Sequence, residues 1–204
     1  QLDALALESN LLAVYTQALK SESEGELENT LSLLERCLEI NSNFLPAKSK
    51  KATILLKQEK WKSAEALLRK LIKGQANETH LLNNLSISLL KQNKLDEALV
   101  YGMKSLKHAD KSQKASAHVN VGTILQEKNN LLEAKENYQR AIKIDPENKN
   151  AILNLGVIQL ENKNLEKAEK FFRLVLDKDP SNITASSNLA GTLLIQDRAD
   201  EGWS

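Results

Sequence analysis

With 204 residues, 41% of them hydrophobic and only 3 Pro and 7 Gly, the chain has the apolar content of a folded protein and not the composition of a disordered or collagen-like one. Its 28 basic and 27 acidic side chains leave a net charge of +1, so no overall field draws it onto nucleic acid or an anionic membrane. The single cysteine, Cys37, excludes an intramolecular disulfide, and no Cys or His pair has the spacing of a zinc site.

Aromatic residues are only 4%, and Leu, Ala and Ile stand beside many Lys, Glu, Asn and Gln, a mixture that predicts an all-helical chain. No apolar run approaches the ~20 residues that a membrane span needs. The opening QLDALALESN has neither a basic leader nor an initiating Met, so the sequence reads as a piece of a longer protein. Cys37 is compatible with a reducing compartment, and a cytoplasmic location is the expectation.

In chain order, residues 1–10 read as the end of a preceding helix or an N-terminal cap. Helix pairs are then predicted at 11–23 and 26–39, 45–58 and 61–73, 79–92 and 95–108, 114–127 and 131–144, and 149–161 and 165–178. A further helix at 183–196 opens an incomplete sixth copy. Pro46 falls just inside a first helix, where its missing N–H is harmless, and Pro146 and Pro180 follow second helices that they help to stop. No Gly/Ser-rich linker interrupts the chain, so residues 1–204 are expected to form one array with repeats at 11–44, 45–78, 79–114, 115–148, 149–182 and a partial 183–204.

The pairs repeat in detail. A small residue on each first helix is followed 12 positions later by a small residue on the second: Ala18 and Thr30, Ala52 and Ala64, Ser86 and Ala98, Gly122 and Ala134, Gly156 and Ala168. Ala64 to Ala98 is 34 positions, and so are Ala134 to Ala168, Tyr138 to Phe172 and Pro146 to Pro180. Ala98 to Ala134 is 36, which places two inserted residues in the HADKSQKAS connection.

These residues resemble the tetratricopeptide repeat family, whose 34-residue helix-turn-helix has small residues at places 8, 20 and 27, an aromatic at 24 and Pro at 32. The resemblance runs from about Leu11 to Ser204. It implies an all-α, right-handed superhelical solenoid of antiparallel helix pairs, with the first helix of each pair lining the inner surface. The departures are Leu34, Leu68 and Gly102 at the aromatic place, and the absence of the late Pro from the first three copies. The physical reason for the pattern is close packing: small side chains let paired backbones approach, and Leu, Tyr or Phe fills the volume around the contact.

That packing does not account for the residue at the sixth place of four consecutive first helices: Asn84, Asn120, Asn154 and Asn188. Asn is a mediocre helix former because its amide competes for backbone hydrogen bonds. Asn is also common at this place throughout the family. As a binding feature, a carboxamide both donates and accepts, matching one amide of an extended chain. Neighbouring helices ~8–10 Å apart would take about three extended residues per rung. The column looks like the asparagine ladder in the repeat arm of O-linked N-acetylglucosamine transferases, which holds acceptor polypeptides for a separate catalytic domain. The last copy, NLAGTLLIQDRADEGW, is similar to the terminal repeat of bacterial repeat–glycosyltransferase fusions, while Gly202 and Trp203 also read as an ordinary second-helix start.

The first two copies offer Thr16 and Lys50 at the sixth place. Lys50, Lys57 and Lys91 fall in columns expected to face the groove, where they could attract an acidic peptide or phosphate. The chaperone carboxylate clamp needs Lys at the fifth place and Asn at the ninth. Here those places hold residues such as Ser49, Asn83 and Leu153, then Thr53, Thr123 and Val157. His80, His108 and His118 stand at different phases and read as surface or boundary residues, and Cys37 as a small packed residue. The acceptor-like triplets beginning at Asn77, Asn84 and Asn182 are read as chance matches.

The expectation is therefore a noncatalytic scaffold that binds a protein or peptide in extended conformation, without cofactor, metal, nucleic acid or membrane. The alternative is the substrate-recruiting arm of a larger glycosyltransferase. A third expectation is self-association through the apolar end of the truncated sixth copy.

Overall fold

The computed structural model describes residues 2–74 and 77–196. Among these residues it contains eleven α-helices and no strand: α1 Leu2–Ser23, α2 Leu27–Ile40, α3 Leu45–Lys57, α4 Trp61–Gly74, α5 Thr79–Lys91, α6 Leu95–His108, α7 Lys114–Glu127, α8 Leu131–Ile144, α9 Lys149–Glu161, α10 Leu165–Lys178 and α11 Ile183–Ile195. The all-α class and the helix pairs match the sequence expectation. The segment before Leu11 does not form a separate helix end or cap; it is the beginning of α1 itself.

Each turn inside a pair closes in the same way. The first helix ends with a residue in the left-handed region: Gly25 (φ 81), Glu59 (φ 58), Asn93 (φ 59), Asn129 (φ 60) and Lys163 (φ 60). The following N–H then reaches back to the carbonyl five residues earlier, as in Glu26 to Ser21 (3.0 Å), Lys60 to Leu55 (2.9 Å) and Asn164 to Gln159 (2.8 Å). This closure satisfies a carbonyl that the helix end would otherwise leave open. Entry into first helices is set by Asn caps in two copies, where the Asn148 and Asn182 side chains accept from Ala151 N (3.1 Å) and Ala185 N (2.9 Å).

The two inserted residues are divided between two places. The connection from α6 to α7 is longer by one than the one from α8 to α9, and α7 has 14 residues where α5 and α9 have 13.

The chain forms two compact units, residues 1–105 and 106–204. In the first, α1 packs on α2, α2 on α3, α3 on α4 and α5, and α4 on α5. In the second, α7 packs on α8 and α9, α8 on α9, α9 on α10 and α11, and α10 on α11. Within each unit these consecutive helices thus pack on one another, and first helices meet at α3–α5, α7–α9 and α9–α11, as stacked hairpins require.

The small residues sit where backbones come closest. Ala18, Ala52, Ala64, Ser86, Ala98, Ala134 and Ala168 are all fully buried. In the second unit the glycines face aromatic rings: a Cβ on Gly122 would lie 2.7 Å from Tyr138 Cε1, and one on Gly156 2.6 Å from Phe172 Cε1. Only the absence of a side chain lets a buried ring fill that space.

Candidate functional site

In the first unit, Lys50 and Asn84 of the column are held by neighbouring repeats. Asn84, half-buried on α5, donates through Nδ2 to Thr53 Oγ1 on α3 (3.3 Å), and the Thr53 hydroxyl donates to the Ser49 carbonyl (3.2 Å). Lys50 and Lys57 both reach Glu22 at the end of α1, at 2.8 Å and 2.6 Å. Burial alone would raise the Glu22 carboxyl, but hydrogen bonds from Lys50 and Lys57 outweigh it and hold the group below its ordinary value. These two ammonium groups, expected to be open to a ligand, are thus already engaged with a carboxylate of the same unit. Lys91 is exposed at the C-terminal end of α5. A shallow cavity of about 420 Å³ runs along this face, with Tyr15, Ser49, Lys50, Thr53 and His80 in its wall.

The second unit holds the other three asparagines. Asn120 on α7 is buried, at 8% exposure, whereas Asn154 on α9 and Asn188 on α11 are half-buried. The Asn154 carboxamide lies near enough to the Tyr138 hydroxyl to favour its ionised form. That hydroxyl also contacts Gln126 Oε1 (2.9 Å) and Thr123 Oγ1 (3.3 Å). Burial pushes the Tyr138 phenol up to about 12, against the lowering effect of Thr123 and Asn154; the charges of Glu127 and Glu161 push it further in the same direction. Phe172 occupies the matching place in the next copy and has no hydroxyl to offer Asn188.

The other polar groups are structural. His80 and His108 are exposed, but His118 is buried, which corrects the surface or boundary reading: its place on α7 faces α8, not solvent. Its Nδ1 lies 2.9 Å from Asn137 Oδ1. Asn137 Nδ2 donates to the Glu133 carbonyl (2.9 Å), so Oδ1 must accept and the ring nitrogen Nδ1 carries the proton. Cys37 is buried and burial pushes its thiol up, partly offset by Arg36, as suits a packed residue and not a nucleophile.

The sequence did not reveal the cluster around Glu65, which takes Arg69 Nε at 2.9 Å, Lys94 Nζ at 2.8 Å and Gln92 Nε2 at 2.8 Å. Burial would raise this carboxyl, yet Lys94, Arg69 and Gln92 together bring it down to about 2. Only the i,i+4 spacing of Glu65 and Arg69 was visible beforehand. Among the described residues, no helix is long and apolar enough to cross a membrane, and no group of three His, Cys, Asp or Glu is placed to hold a metal. Gly202 and Trp203 lie outside the described residues.

Two tetratricopeptide repeat family models match the sequence, one over residues 49–110 and one over residues 125–193. No curated protein matches it. Among solved structures, PilW, a widely conserved type IV pilus biogenesis factor, is similar with a TM-score of 0.80 and 16% identity, over 94% of this chain and 90% of that one. A thermophilic TPR protein of Thermus thermophilus, TTC0263, gives 0.77 and 16% over 90% of this chain and 99% of its own. YrrB, a TPR protein with an unusual peptide-binding site, gives 0.61 and 23% over 89% and 94%. At these identities the likeness establishes the fold.

Proposed function

The chain carries tetratricopeptide repeats, and on that premise we propose that it is a noncatalytic interaction scaffold that binds an extended polypeptide along the open face of its first helices. The carrying observation is the state of Asn154. Its carboxamide lies beside the Tyr138 hydroxyl and the residue is still half-exposed. An amide has two N–H donors and an acceptor oxygen, so one packed beside the next repeat keeps groups to pair with a peptide backbone. Asn84, anchored on Thr53, offers the same arrangement in the first unit.

Asn188 is half-buried and joins the accessible amides. Asn120, being buried, contributes less contact area and more to the joint between repeats. In the first unit Lys91 is a cation open to an acidic ligand, while Lys50 and Lys57 engage one only by exchanging Glu22 for it. The unusual peptide-binding site of YrrB is in keeping with this reading.

The asparagine column also supports a second reading, in which these repeats recruit polypeptides for a glycosyltransferase domain elsewhere in a larger chain. Both readings need the amides to touch the ligand. Replacing Asn154 and Asn188 by Ala removes two such contacts at about 1 kcal/mol each, so capture on an array of immobilised synthetic peptides falls by about 30-fold with helicity unchanged. Undiminished capture by the double variant removes the amides from the account.

A further inference from the structure

The first helices of the two units end differently. In the first unit the last turns of α1, α3 and α5 carry Lys20, Lys57 and Lys91, the sign that a helix C-terminus favours. In the second, α7 and α9 have no basic residue in the last turn and close on Glu127 and Glu161. Each carboxylate sits against the partial negative charge of its own helix end. Both are exposed, and neither forms an ion pair with a described residue. Local physics therefore disfavours both glutamates, and among the described residues no salt bridge offsets that cost. Such a local conflict is expected where a residue serves a ligand.

The two charges also belong to one surface. Glu127 and Glu161 are 34 positions apart, at the same place on adjacent first helices, and both act on the Tyr138 hydroxyl near Asn154. Beside them α9 presents Leu153, Val157 and Leu160, all half-buried. The face thus combines a half-buried carboxamide, an apolar stripe and two negative charges that form no salt bridge with a described residue.

We propose that this face of the second unit docks an extended peptide bearing basic side chains about three positions apart with apolar residues between them. The basic groups pair with Glu127 and Glu161, Asn154 reads the backbone between them, and Val157 and Leu160 receive the apolar side chains. The spacing follows from geometry. Packed helices lie ~8–10 Å apart. A polyproline II-like chain brings positions i and i+3 to one side of itself after a rise of ~9.3 Å. This inference rests on the peptide-scaffold reading and adds the chemistry of the ligand.

The test uses three fluorescently labelled synthetic peptides of Val and Pro, with Lys, Gln or Glu at every third position, titrated by anisotropy at low salt. The intact protein is expected to bind the Lys peptide about tenfold more tightly than the Gln peptide, and the Glu peptide most weakly, with the preference fading as salt is added. In the double variant Glu127→Gln, Glu161→Gln the three affinities converge, whereas Asn154→Ala weakens all three alike. Equal binding of the three peptides by the intact protein overturns this inference and leaves the scaffold reading standing. A Lys preference that survives in the double variant overturns it too. Failure of every peptide to bind overturns both. Circular dichroism confirms that the variants are folded, as expected for Gln at exposed helical positions.

Discussion

Gly156→Ala is the sharpest test of the packing that brings the repeats together. In the middle of a helix this exchange normally stabilises by about 1 kcal/mol. At Gly156 the new Cβ would lie 2.6 Å from Phe172 Cε1, 3.0 Å from Cδ1 and 3.1 Å from the Phe171 Cβ. Phe172 is fully buried, so its ring has no free space to move into. Overpacking of this kind costs ~1–3 kcal/mol, and a contact so far inside normal carbon separation points to the upper end. Subtracting the helix-propensity gain leaves a net loss of about 2 kcal/mol. Gly191, on α11 of the same unit, would have nothing within 4 Å of its Cβ, so Gly191→Ala is expected to gain about 1 kcal/mol. Urea unfolding should therefore separate the two variants by about 3 kcal/mol. In a Phe172→Leu background, where the ring edge is gone, Gly156→Ala should become stabilising. Equal stabilisation by the two Gly→Ala exchanges in the parent protein would refute the reasoning.

Glu65 makes the first unit acid-sensitive. Its folded value near 2 lies below the unfolded value of about 4.5, so its contribution is complete above pH 4.5, declines as the pH falls towards 2 and is absent below that. Glu65→Gln should cost about 2 kcal/mol at neutral pH and flatten acid unfolding in that window; an unchanged acid profile would contradict the ion cluster. Glu127→Gln and Glu161→Gln should each raise stability by ~0.3–1 kcal/mol in thermal unfolding, because each removes an unpaired carboxylate from a helix C-terminus. A loss of stability would mean that the two charges are compensated within the fold.

The helix pairs were legible in the sequence because the same geometric demand recurs. The small place, the Ala 12 residues on and the prolines at 146 and 180 locate every hairpin to within a residue or so beyond α1. The left-handed turn residues were only partly legible. Gly25, Asn93 and Asn129 are residue types that tolerate that conformation, while Glu59 and Lys163 betray it only through their register with the others. Side-chain partnerships escaped because they join residues far apart in sequence. Glu22 claims Lys50 and Lys57 from α1, and Thr53 claims Asn84, so columns that read as open on a helical projection are partly engaged in the fold. His118 escaped for a related reason, since its partner Asn137 lies on the next helix. Gly102 departs from the aromatic place, and the ring one position earlier, Tyr101, stands instead beside Arg69, 5.8 Å from its guanidinium carbon.

The central claim is that amides of the first helices touch the ligand, and side-chain amide NMR reads this directly. On adding the Lys-bearing peptide to the isotopically labelled protein, the carboxamide signals of Asn154 and Asn188 should shift together with the methyl groups of Val157 and Leu160. Shifts confined to the outer faces of α8 and α10, with both carboxamides unmoved, would contradict the account.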